Sequence, residues 1–125
     1  MKILTNSLIT FIAIEHIGFL ILEIFLYTKP IGQKIFKMTP EFALQSQALA
    51  ANQGLYNGFL AEGLLWALFF SKDRMSQSLK VFFLTCILIA GLYGWYTVSK
   101  TILFVQALPA LVALTLVLKQ KSTEA

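Results

Sequence analysis

Residues 8–28 read LITFIAIEHIGFLILEIFLYT. A helix rises about 1.5 Å per residue and the hydrocarbon core of a bilayer is about 30 Å thick, so this run is long enough to cross one. It is about twice the length of a typical signal-peptide core and no small-residue cleavage pattern follows it, so it reads as a retained span. Three ionisable side chains interrupt it: Glu15, His16 and Glu23.

Working outward, three more apolar runs cover about 48–70, 79–98 and 101–118. The composition agrees: 58% of the 125 residues are AVILMFWYC and 13% are charged, against roughly 25% charged in a soluble domain. That excludes an ordinary soluble domain and a disordered chain, and the single Cys excludes a disulfide scaffold. The net charge of +4 is too small and scattered for a nucleic-acid binder. Nor does any segment show the apolar/polar alternation of an outer-membrane strand. The expectation is an all-α membrane protein, a four-span transmembrane helical bundle forming one membrane domain over 1–125.

Four spans put both termini on the side of the loop between the second and third. That side carries Lys2, Lys72, Arg74, Lys80, Lys119 and Lys121, and the other carries Lys29, Lys34, Lys37 and Lys100. Lys and Arg accumulate on the cytoplasmic side, so both termini are expected there, in the cell membrane. Ser99 and Lys100 form the turn between the last two spans, an antiparallel hairpin, with Tyr93, Trp95 and Tyr96 at aromatic-belt depth before it.

The connection between spans one and two holds the run KPIGQKIFKM at 29–38, which interleaves lysines with Ile31, Ile35, Phe36 and Met38. Such a segment suits the headgroup layer, with the ammonium groups snorkelling to water. Thr39-Pro40-Glu41 then reads as a helix start, with an N-cap, a proline at the first helical position and an acid in the first turn. A helix running from there through the second span would cover about 45 Å, and Gly54 is the expected place for a bend.

A charged group near the bilayer centre costs about 2.5–3.5 kcal/mol on insertion scales, so the acids within spans, Glu15, Glu23 and Glu62, and the lone His16 mark the candidate site. Depth sorts them into two layers. Glu23 lies with Asn52, Gln53, Tyr56 and Asn57 near the long connection; Glu15, His16 and Glu62 lie toward the termini. At 100° per residue Glu15, His16 and Glu23 share one arc of roughly 100°, whereas Glu62 is turned about 140° from Asn57, so the second helix cannot present all of its polar groups to the first. Gln106, beside Pro109, is a further candidate on the fourth span. Each amide alone could be interhelical glue, and Ala50, Gly54 and Gly58 read as a close-packing seam. Cys86 reads as a small packing residue.

Catalytic templates fail: there is no Gly-rich phosphate loop, Cys pair or nucleophile elbow. One histidine excludes a paired Glu-x-x-His di-iron site, although a metal held by His16, Glu15 and Glu62 from two helices stays open. No cofactor is expected.

Glu15-His16, Leu22-Glu23-Ile24-Phe25, Thr28-Lys29-Pro30, Met38-Thr39-Pro40-Glu41 and the block Leu49-Ala50-Ala51-Asn52-Gln53-Gly54-Leu55-Tyr56-Asn57-Gly58-Phe59-Leu60-Ala61 resemble the bacterial integral membrane family known as domain of unknown function 1304. The likeness covers nearly the whole chain, although Ile24 and Tyr27 stand where members often have Met and Trp. It implies a four-span bacterial membrane protein and supplies no activity. Small multidrug resistance transporters are similar in length, span number and a glutamate midway along the first span, but they have no counterpart of the long connection or the Asn-Gln-Gly block.

Three function classes follow. The leading one is binding or transport of a small amphipathic molecule or a proton at the polar layers. The alternatives are a membrane enzyme acting on a lipid or quinone-like substrate, and a structural subunit. The expected partners are the bilayer and such a molecule, with a homo-oligomer open.

Overall fold

A computed structural model describes residues 1–120, and every regular element among them is helical. Lys121 and Ala125 lie outside the described residues. The elements are α1 (Lys2–Ile24), α2 (Pro30–Phe36), α3 (Pro40–Leu65), a π-helical turn (Trp66–Phe70), α4 (Asp73–Thr97), a second π-helical turn (Leu103–Ala107) and α5 (Leu108–Lys119). By length and composition α1 and α4 could each cross a membrane. The polar side chains of α3 dilute its apolar character, and Leu103–Lys119 is apolar but shorter.

The breaks have local causes. Pro30 forces Lys29 into an extended conformation (φ −85°, ψ 160°) and then opens α2 at its first turn. At the other end Lys37 takes the left-handed conformation (φ 52°), and Met38 N–H donates to Gln33 O at 3.0 Å while Lys37 N–H reaches Lys34 O at 3.4 Å. These two bonds make a Schellman motif closed by a lysine instead of the usual glycine. The Thr39 cap forms as expected: Phe42 N–H donates to its Oγ1 at 3.2 Å, with Pro40 and Glu41 opening α3. α3 keeps its α-helical hydrogen bonding unbroken through Gly54, from Pro40 to Leu65, and departs from it only at Trp66.

The chain forms two compact units, Met1–Ala13 with Glu62–Ala125, and Ile14–Ala61. In the first, α4 and the segment 103–119 form the expected antiparallel hairpin. A Cβ on Gly94 would meet Ile102 at 3.2 Å, one on Gly91 would meet Ala107 at 2.8–2.9 Å, and Gln77 Nε2 donates to Gln120 O at 3.0 Å. As one index falls the other rises, which fixes the antiparallel sense. Its core is apolar: Ile9, Ile12, Leu64, Leu84, Ile87 and Val117 are essentially fully buried.

Each π turn has its own support. Ser76 Oγ donates to Ala67 O at 2.6 Å in the first. In the second, Leu108 N–H bonds back to Leu103 O just before Pro109, which has no N–H to continue the α pattern. The start of α1, the start of α4 and the end of α5 meet at one end of the unit, where Gln120 Nε2 donates to Thr5 Oγ1 at 2.6 Å and Lys80 Nζ to Asn6 Oδ1 at 3.0 Å. Lys80, counted from the sequence among the cations of the terminal side, is a buried side chain of α4.

The unit Ile14–Ala61 is built the other way round. Its buried residues are the small Gly32, Ala43, Ala50, Gly54 and Ala61 and the polar His16, Glu23 and Asn57. Its large apolar side chains point outward: Ile14 is 60% exposed, Phe25 63% and Leu49 77%.

Candidate functional site

The site begins with a close approach of two helices inside Ile14–Ala61. Ala50, Gly54 and Gly58 are spaced four apart, so they lie along one line of α3, and that line meets α1. A Cβ on Gly54 would fall 2.9 Å from Glu23 Cβ and 3.3 Å from Leu20 O, and one on Gly58 would run into the Leu20 side chain. The packing seam read from the sequence is therefore real, and Gly54 serves close packing and not flexibility: its missing side chain is the space that Glu23 occupies.

Gln53 and Asn57 flank this seam, again four apart, so both amides project to the same side as Glu23. Asn57 Nδ2 donates to Glu23 Oε2 at 2.8 Å and Gln53 Nε2 to Glu23 Oε1 at 3.3 Å. Each carboxyl oxygen thus takes one amide donor. Glu23 and Asn57 are buried, whereas Gln53 is exposed, so the shorter bond is also the one shielded from solvent. The matching depths of Glu23 and the 52–57 turn predicted this approach. Asn52 and Tyr56 stay outside it: both are exposed, and Tyr56 packs edge-on against Phe59 with ring centroids 6.0 Å apart.

Two turns earlier on α1, about 12 Å along the axis, lie Glu15 and His16. His16 is fully buried and meets the Phe19 ring edge-on at 5.2 Å. Glu15 is half-buried, and its Oε2 atom is enclosed without a hydrogen bond to any described residue. Glu62 is an exposed residue of the other unit, as is the segment bearing Gln106, whose Nε2 reaches Ile87 O at 3.4 Å. Among the described residues no group of three His, Cys, Asp or Glu side chains could hold a metal ion.

Sequence reasoning missed one polar link in this unit. Ser46 Oγ donates to Phe42 O at 2.7 Å, which uses its only proton, so in the 3.0 Å contact between Tyr27 and Ser46 the phenol is the donor. Tyr27 also packs on Phe36 at 5.4 Å, tying the connection after α1 to both α2 and α3. An aromatic with a polar tip beside a helix end is the only signal that pointed there.

The model of the family described as "Protein of unknown function (DUF1304)" matches residues 10–118. The chain is also 35% identical over 116 residues to the uncharacterised protein YpaA of Lactococcus lactis subsp. lactis, an alignment covering 91% of this chain and 96% of that protein. No solved structure matches significantly. The matched span includes the Glu15-His16 pair, Glu23 and the Asn-Gln-Gly block from which the site is built, and the chain belongs to the DUF1304 family.

Proposed function

We propose that the chain is a four-span membrane protein whose Ile14–Ala61 unit binds or conducts a small amphipathic molecule or a proton at an intramembrane polar site formed by Glu15, His16, Glu23, Gln53 and Asn57. The observation that carries this reading is the inverted burial of that unit, with polar groups inside and isoleucine, leucine and phenylalanine outside. In water such an arrangement forfeits the hydrophobic driving force, whereas in lipid it is the economical one, since polar groups must find partners inside and apolar groups need no shelter. The burial of the two apolar helices supports it as well: 28% of the most apolar window of α1 and 22% of that of α4 is buried, far from the mostly buried core helix of a soluble protein.

A second reading, a structural subunit, is favoured by Glu23, both of whose oxygens already have donors. Glu15 separates the two, because its enclosed oxygen is held by no described group. A buried polar atom without a partner costs about 1–3 kcal/mol, a cost that binding of a donor or a proton relieves.

Glu15→Gln keeps the side chain's size and removes its titration. Thermal unfolding of the purified protein across pH, with and without a hydrophobic amine, should give a pH profile and an amine response in the wild type that the variant lacks. Superimposable profiles would favour the structural subunit.

A further inference from the structure

A second concentration of charge lies in the other unit. Lys80 of α4 is 9% exposed, and its one hydrogen-bond acceptor among the described residues is the neutral Asn6 Oδ1 at 3.0 Å. An ammonium has three N–H donors, so two remain. No carboxylate among the described residues pairs with it, and the charge that acts on it is another cation, Lys2. Asn6 follows directly on the first turn of α1, which contains no acidic residue, so the positive end of that 23-residue helix is uncompensated and adds to the same potential. The neighbouring neutral groups are already engaged: Thr5 Oγ1 donates to Met1 O at 3.0 Å and accepts from Gln120 Nε2, and Gln77 Nε2 is spent on the end of α5. The polar groups around Lys80 thus supply hydrogen bonds and no negative charge.

We infer that Lys80, Lys2 and the first turn of α1 form a binding site for a phosphate-class oxyanion, supplied by a lipid headgroup or by free phosphate. Two cations and a helix N-terminus converge where a buried charge needs a counter-charge, and an anion with several acceptor oxygens satisfies the remaining ammonium donors together with the free N–H groups of the α1 turn. Lys80 lies seven residues into α4, about 10 Å along its axis, a depth that a long lysine stem bridges toward the headgroup layer. The lipid source rests on the membrane reading above and the free-phosphate source does not, so the two can fail separately.

The test uses the full chain in an uncharged maltoside detergent, titrated in separate arms with phosphatidylglycerol and with inorganic phosphate against chloride at matched ionic strength. Thermal unfolding is the readout. The wild-type midpoint should rise with phosphatidylglycerol, with inorganic phosphate or with both, and the responding arm identifies the source. Lys80→Met should abolish the rise and Lys80→Arg should retain it. Lys2→Gln, at an exposed position that leaves folding intact, should weaken half-saturation about fivefold. No rise in either arm, or a rise as large in Lys80→Met as in the wild type, overturns the proposal. Should Lys80→Met fail to fold, an unchanged half-saturation in Lys2→Gln overturns it equally.

Discussion

Asn57 donates to Glu23 at 2.8 Å from a residue four positions along α3 from Gln53, so one carboxyl group bridges two successive turns of the facing helix. The two bonds differ in setting. Asn57→Ala leaves a buried carboxyl oxygen without its donor, which costs about 1–3 kcal/mol. Gln53→Ala removes a longer bond that solvent can replace, and should cost well under half as much. Denaturation of the two variants in the same detergent checks the order, and an equal loss would mean that burial does not set the strength of this pair.

Gly54 holds the same contact from the backbone side. Alanine is the better helix former by about 1 kcal/mol, so in an isolated helix Gly54→Ala would stabilise. Here the new Cβ would lie 2.9 Å from Glu23 Cβ and 3.0 Å from Ile24 Cγ1, atoms close to the α1 backbone that cannot swing aside. The expected result is a net loss of about 1–3 kcal/mol, larger for Gly54→Val, together with loss of the extra penalty of Asn57→Ala in the double variant. Additive effects would show that the glycine and the carboxyl pair act independently.

Lys37 offers the opposite sign. It closes α2 in a left-handed conformation that costs a side-chain-bearing residue about 1–2 kcal/mol, and it is exposed. Lys37→Gly removes that strain and adds some entropy to the unfolded chain, for a net gain of about 0.5–1 kcal/mol. A loss of stability instead would indicate that the lysine's charge or stem matters more than its backbone.

Much of this was legible where the causes are local. The start of α3 is written in three adjacent residues, Thr39, Pro40 and Glu41, because caps act over one turn. The Glu23 pair was legible from depth and four-residue spacing, and the hairpin from the short turn at Ser99 and Lys100. The closeness of Gly54 to Glu23 was not, since only the neighbouring α1 turns the glycine's lack of a side chain into an advantage. The same holds for the π turn at Trp66–Phe70, which leans on Ser76 from another helix. The burial of Lys80 was not legible either, because its partner Asn6 comes from another helix.

The last prediction concerns the sides of the membrane. Lys2, Lys72, Arg74, Lys80, Lys119 and Lys121 outnumber Lys29, Lys34, Lys37 and Lys100, which alone is a narrow margin. Independent support comes from Thr5 and Gln120, whose side chains bond at 2.6 Å: a chain whose two ends meet in this way crosses a bilayer an even number of times if those ends lie at one surface. Reporter fusions after Ala125 and within the α2 segment near Lys34 should therefore report opposite sides, the first cytoplasmic. The same side for both would remove the four-span topology. A population split between the two orientations would show instead that the narrow charge margin fails to fix one orientation, and widening it by Lys34→Glu and Lys37→Glu should then restore a single orientation with the termini inside.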